Sequence, residues 1–218
     1  MNSHQSSAQL LILGAGGHAA VVAESAQRAG FVLVGIASTE APCVGAPLDT
    51  LTFVGDPDGA GASRIDALIR DGVRLIAAVG DASIRARWMT RFGPIAFATI
   101  VDPSAVLSPS ATLGTGVFIG ARAVVQARAR ILDGAILNTA CVVEHDCVIG
   151  VCAHISPAAV LCGGVHVGAH AHVGAGAVII PAMVIGERAR IGAGAVVVRE
   201  VESDTTVMGV PARRSTTS

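Results

Sequence analysis

The chain has 218 residues, of which 52% are hydrophobic and only 3% aromatic, with no Tyr and a formal net charge of −1. That balance offers no basic surface for nucleic acid, and although the mean hydropathy is +0.64, no uninterrupted apolar run reaches the length of a membrane span. Five cysteines with no Cys-x-x-Cys pair read as structural thiols in a reduced compartment, and the absence of a basic-then-apolar leader predicts a cytoplasmic location.

Residues 1–8 are polar, and fraying is expected there. Gln9 to Leu13 is an apolar run suited to a buried parallel strand. It leads into Gly14-Ala15-Gly16-Gly17-His18, then a helical pattern over 19–29 that Gly30 ends, then a second strand over 31–37. This β–Gly loop–α–β unit opens a Rossmann-like half-domain. The loop departs from the full dinucleotide fingerprint: Ala19 replaces the third glycine, and the second strand runs out into Ser38, Thr39 and Glu40 without an acidic residue at the ribose position. A glycine turn at a helix N-terminus still presents free N–H groups to an anion. Gly14, Gly16 and Gly17 therefore read either as a diphosphate cradle or as a tight turn without a ligand. Residues 41–61 read as loop with a short strand at Leu51 to Val54. A helix follows over 64–70, a buried strand over 73–80, and a helix capped by Asp81 or Ser83 and running to Arg91, whose Trp88 reads as packing. A short strand over 97–100 leads directly to Val101.

From Val101 to Val197 every sixth residue is aliphatic, seventeen in succession without an insertion. The residue two places earlier is nearly always small, as at Ala123, Ala129, Ala135, Cys141, Cys147 and Ala153. A period of six fits neither a helix nor an amphipathic strand. It fits a parallel β-helix of hexapeptide repeats, in which three hexads make a triangular coil and residues 18 apart stack. Each large aliphatic side chain is buried only by the coils above and below it.

Strand alternation turns Asn138 and Glu144 outward, since each follows an interior residue, and His154 outward because it precedes one. His145 and Asp146 fall at a corner, and Gly163 lies 18 residues after His145, leaving room above it for a substrate to approach the backbone. A histidine between two carboxylates suits a general base near neutral pH, and a solvated corner is the other reading of the same residues. Which carboxylate supports the imidazole stays open. His154 and His172 are 18 apart and stack, while His166 and His170 read as surface residues.

Taken together, the Gly14–His18 opening, the hexads, Asn138, the segment Val143-Glu144-His145-Asp146-Cys147-Val148-Ile149-Gly150, His154 and the closing Met208-Gly209-Val210-Pro211-Ala212 resemble the nucleotide-sugar acetyltransferases of the sialic acid O-acetyltransferase type. That group includes UDP-4-amino-sugar and GDP-perosamine N-acetyltransferases. The resemblance implies a left-handed β-helix, with a nucleotide-sugar-binding half-Rossmann domain at 1–98, the acyltransferase β-helix at 99–199 and a CoA-binding tail at 200–218. It implies acetyl-CoA as cosubstrate, no metal, and direct transfer to the amine of a 4-amino-4,6-dideoxy nucleotide sugar, GDP-perosamine ahead of a UDP-4-amino sugar, in lipopolysaccharide O-antigen biosynthesis. His145 would be the base, with Asp146 and Glu144 beside it. Gly14, Gly16, Gly17, His18 and Asn138 would bind the sugar nucleotide, and His154, Gly163 and Arg213 would contact CoA. Active sites would lie between subunits of a homotrimer. Sugar O-acetylation is the near alternative. A γ-class carbonic anhydrase-like hydratase is disfavoured because its five-residue histidine spacing is absent, and a non-enzymatic scaffold predicts no acetyl-CoA binding.

Overall fold

The computed structural model describes residues 8–39 and 48–215; the readings made for residues 1–7, for Glu40 and the loop to 47 with Cys43, and for 216–218 lie outside the described residues. The first apolar run is β1 (Gln9–Leu13), with Leu10 to Leu13 fully buried. It is a central strand, flanked by β2 (Val32–Ala37) and β4 (Arg74–Ala77), with β3 (Phe53–Gly55) outside β2, all parallel. Apolar side chains on both faces of β1 follow from cover on both faces. On one side lies α1 (Gly17–Arg28), whose Ala19, Val22, Ala23 and Ala26 recur at helical spacing and are buried. On the other lie α2 (Ala62–Arg70) through Ile65 and α3 (Ala82–Phe92) through Trp88 and Met89. The Asp81 carboxylate caps α3, accepting from the backbone N–H of Ser83 at 2.8 Å and of Ile84 at 3.2 Å, which settles the cap in favour of Asp81.

The hexads fold as a left-handed parallel β-helix of two-residue strands on three faces. The first face carries Ile100–Val101, Phe118–Ile119, Ile136–Leu137, His154–Ile155, His172–Val173 and Arg190–Ile191. The second runs from Val106–Leu107 to Val196–Val197 and the third from Thr112–Leu113 to Val184–Ile185. Pairing is in register at 18 residues, for example Ile136 with His154 and Leu137 with Ile155. The second residue of each strand points in: Ile119, Val125, Leu137, Val143, Ile149 and Ile155 are all within 1% of full burial. Each such side chain contributes about 1.5–3 kcal/mol. The ends depart from the uniform column. Leu107, with no coil below it, is 37% exposed. Beyond Val197, where the six-residue period stops, stacking continues in a coil shortened by two residues: Ile185 bridges Val201 and Ile191 pairs with Val207. Val201 and Val207 are buried, so the column outlasts the repeat that predicts it.

The half-domain is docked on the first face. Phe118 and Ile136, outward residues of that face, are buried under α1 together with Ile100. A charged tie closes the seam. Arg28, at the end of α1, donates to Asp102 from Nη2 at 2.6 Å and Nε at 3.2 Å. Asp102 is 1% exposed. Burial alone would raise its carboxyl, but hydrogen bonds from Ser104, Arg28 and Ser25 outweigh it and hold the group below the usual carboxylate range. Asp102→Asn is expected to lower unfolding free energy by about 1.5–3 kcal/mol, measured by urea denaturation at pH 7. Because the native carboxyl is depressed, the tie contributes above the unfolded value of about 3.9 and is lost only as pH falls below it.

Candidate active site

Two polar centres stand on the prism. One is the corner between the second and third faces, where Val143 passes into Glu144-His145-Asp146. Asp146 adopts a left-handed backbone (φ 62°), which turns its carboxylate back over the preceding histidine. His145 Nδ1 lies 2.7 Å from Asp146 Oδ2. Asp146 is held well below the usual carboxylate range, first by its bond from Arg128 and then by that from His145, so it is an acceptor only. The proton of the neutral ring therefore sits on Nδ1, and Nε2 carries the free lone pair. Glu144 instead accepts from the backbone N–H of His145 at 3.3 Å. Of the two carboxylates, Asp146 is the one that meets the ring.

Gly163 stacks above His145 as the 18-residue rule requires, and the Gly164 N–H donates to the His145 carbonyl at 2.9 Å. The space at Gly163 is not left open to a ligand. A Cβ there would lie 2.5 Å from Cε1 and 2.6 Å from Nε2 of His145, so the imidazole itself occupies the room. Gly163→Ala is expected to displace the ring and reduce turnover about 10–100-fold, with the melting temperature nearly unchanged because the side chain of His145 is 58% exposed. A crystal structure of the variant would show the displaced ring.

The second centre lies on the seam between the first face and the half-domain. His18, at the start of α1, packs edge-on against Phe118 at 5.5 Å between centroids and lies 6.3 Å from His154. His154 stacks on His172 at 5.0 Å. Asn138 Nδ2 is 3.3 Å from His154 Nε2, and the Asn138 oxygen is fixed by the Thr139 N–H at 2.8 Å, so the amide donates and Nε2 accepts. The other ring nitrogen of His154 then donates to the Gly80 carbonyl. Burial, then Arg85, lowers the His18 imidazole to about 4, leaving it neutral; its Nε2 is buried without a hydrogen-bond partner. Burial, then His172, Arg85 and His18, lowers His154 to about 3. A cleft of about 720 Å³ opens beside these rings, with Gly80, Asp81, Ser83, His172 and Arg190 in its wall.

Arg85 organises this seam, and its role was not read from the sequence. It is 1% exposed and pairs with carbonyls of both domains: Val79 and Gly80 through Nη1 at 3.0 and 2.8 Å, Gly134 through Nε at 3.0 Å, and Cys152 through Nη2. A signal existed. Arg85, Trp88 and Met89 lie at i, i+3 and i+4, on the buried stripe of α3.

The remaining predicted residues separate. Gly14 (φ 130°) packs its Cα over the Ala78 carbonyl, where a Cβ would come within 2.7 Å. Gly16 and Gly17 begin α1 with no side-chain cap, no acidic residue in the first turn, and open space where a Cβ would be. Their N–H groups are available to an anion. Arg213 lies in the tail strand Arg213–Arg214, which turns back antiparallel onto Thr206–Met208 after Gly209. It borders a groove of about 260 Å³ shared with Arg199, Glu202 and Arg214. Among the described residues no group of three His, Cys, Asp or Glu is arranged to hold a metal ion, and no helix is long and apolar enough to cross a membrane.

Residues 9–92 match the family model of the PglD N-terminal domain. Among solved structures, PerB from Caulobacter crescentus, in complex with CoA and GDP-perosamine, is 36% identical over 95% of this chain and 97% of its own, with a TM-score of 0.84. A histidine-to-asparagine variant of perosamine N-acetyltransferase from the same organism, also with CoA and GDP-perosamine, is 35% identical over 95% and 96%, with a TM-score of 0.85. The acetyltransferase domain of PglB from Neisseria gonorrhoeae, in complex with acetyl coenzyme A, is 31% identical over 96% and 100%, with a TM-score of 0.86. Among curated protein sequences none matches this chain.

Proposed function

This chain belongs to the left-handed β-helix nucleotide-sugar acetyltransferases of the sialic acid O-acetyltransferase type, and from that premise we propose that it transfers the acetyl group of acetyl-CoA to the amine of a 4-amino-4,6-dideoxy nucleotide sugar. GDP-perosamine is the preferred acceptor, on the strength of the 36% identity to PerB. The observation that carries the reading is the His145–Asp146 pair, in which the carboxylate meets Nδ1 at 2.7 Å and leaves Nε2 for the acceptor. An amino sugar is mostly ammonium at neutral pH. His145 takes one ammonium proton, freeing the lone pair that attacks the thioester carbonyl. The tetrahedral oxyanion collapses with cleavage of the C–S bond, the second proton of the nitrogen passes to the departing thiolate so that CoA leaves as thiol, and His145 returns its proton to solvent. No acyl-enzyme is required; Cys141 and Cys147 are buried interior thiols.

The geometry favours a site shared between chains. His145 stands at the corner of the second and third faces, whereas Asn138 and His154 belong to the first face, against which the cleft beside His154 and His172 lies, so one prism keeps the two centres apart. The outward residues of the second face are Val106, Val124, Val142, Val160, Val178 and Val196, an apolar ladder suited to packing against another copy with His145 at its edge. In the trimer so formed, Gly16 and Gly17 would receive the diphosphate, and Arg213 with Arg199 and Arg214 the phosphates of CoA.

The test is thiol release from acetyl-CoA with GDP-perosamine, a UDP-4-amino sugar and a sialic acid side by side, with sedimentation of the same preparation. Amine-dependent release by a trimer is expected. Release only with the hydroxyl acceptor would replace the N-acetyl reading with the O-acetyl one, and an active monomer would remove the shared site.

A further inference from the structure

The corner that carries His145 holds a second ion pair, one coil down. Arg128 and Asp146 are 18 residues apart and occupy the same corner position in successive coils, each with a left-handed backbone (φ 61° and 62°). The guanidinium therefore reaches straight up to the carboxylate and grips it as a parallel fork, Nε to Oδ1 at 2.6 Å and Nη2 to Oδ2 at 2.8 Å. Oδ2 is also the atom that meets His145 Nδ1. One coil further down, Ser110 Oγ accepts from the Arg128 N–H at 3.1 Å and fixes the foot of the column. In the coil above, Gly163 packs against the ring, and Glu144 accepts from the His145 N–H at 3.3 Å.

We propose that Arg128 is a positioning residue for acetyl transfer, locking the Asp146 carboxylate so that His145 presents a fixed Nδ1–H tautomer and an unencumbered Nε2. The proposal rests on the reading of His145 as the base. Two effects follow from elementary electrostatics. A fork with both oxygens engaged leaves Asp146 no freedom to rotate away from Nδ1. The guanidinium also offsets the carboxylate's charge, so removing it favours a positive charge on the neighbouring ring. Removing that positive charge is expected to shift a neighbouring proton equilibrium by about 0.5–1 pH unit.

The molecule contains its own comparison. Arg188 grips Asp204 with the same fork, 2.6 and 2.8 Å, at a corner where Ser203 rather than a histidine precedes the carboxylate. A fork of this kind is thus a corner device of the β-helix, and only at Arg128 is a candidate base attached to it.

The experiment uses the full-length enzyme with Arg128→Ala, Arg128→Lys, Arg188→Ala and His145→Ala. Arg128→Ala is expected to lower kcat about tenfold and to move the acid limb of kcat/KM upward by about 0.5–1 pH unit. Arg128→Lys, which keeps the charge and loses the fork, is expected to restore the position of the acid limb but not kcat. Nitrogen-15 spectra of the imidazoles, assigned by loss of one signal in His145→Ala, are expected to show the Nδ1–H tautomer in the parent and in Arg188→Ala, and a mixture in Arg128→Ala. This readout is independent of turnover and a general loss of stability would not produce it. If Arg128→Ala keeps the parent's profile, kcat and tautomer while His145→Ala is inactive, Arg128 is a surface ion pair and the proposal is wrong. If His145→Ala itself retains full activity, the base assignment fails first, and the proposal falls with it.

Discussion

His145→Ala and His145→Asn are expected to lower kcat by about 10²–10⁴-fold at pH 7, with KM for both substrates within a few-fold of the parent. The ring is exposed and contributes little to the core, so both variants should fold. The chemistry also predicts how the residual reaction behaves. An amine that has lost its proton to solvent needs no enzymic base, so residual activity should climb with pH as free amine accumulates, where the parent levels off. A hydroxyl acceptor would show no such rescue in this range, because its proton is lost only far above it. The pH dependence of the variant's slow reaction thus separates the N-acetyl from the O-acetyl reading without naming the sugar. Full activity of His145→Ala with either acceptor would end the general-base assignment.

The half-domain's strand–helix order was legible in its local patterns, and within the β-helix the legible parts were those governed by a repeat. A period of six fixes the column, and the 18-residue step that comes with it puts Gly163 over His145 and His172 over His154, as found. The same step taken downward places Arg128 beneath Asp146, so that contact too was implicit in the spacing. The choice between Glu144 and Asp146 was not, because it turns on the left-handed corner that swings one carboxylate onto the ring and leaves the other on a backbone N–H. The seam was hidden for a different reason. His18, Arg85 and His154 come from an α1 N-terminus, an α3 stripe and a β-helix face, and only docking of the half-domain on the first face makes them neighbours. Nothing local in Gly14–His18 announces that its histidine lies against Phe118 on the prism.

That docking should make the protein sensitive to mild acid, well before its carboxylates are protonated. His18 and His154 are neutral in the native state, lowered to about 4 and about 3 chiefly by burial and, among other charges, by Arg85. His172 is lowered too, by burial and then by Arg190 and Arg85. In the unfolded chain these rings titrate near 6.5. Their native values are depressed, so the neutral rings' contribution is complete above about pH 6.5 and is lost as pH falls toward the native values, the unfolded chain taking up protons that the folded one refuses. Arg85 cannot relieve this, since it is a cation held by carbonyls and repels any charge the rings acquire. The expected cost is on the order of 2–4 kcal/mol between pH 6.5 and pH 4.5. Asp102 and Asp146 act only below that window, because their carboxyls are depressed and stay ionised through it. Urea midpoints measured from pH 7.5 to 4.5 should therefore fall steadily, and His154→Gln, which keeps a polar side chain but removes a titrating ring, should flatten the slope. Midpoints unchanged across the window would mean that the seam opens to solvent and the rings are not held neutral by burial. A slope that survives in both His18→Gln and His154→Gln would assign the acid sensitivity to other groups.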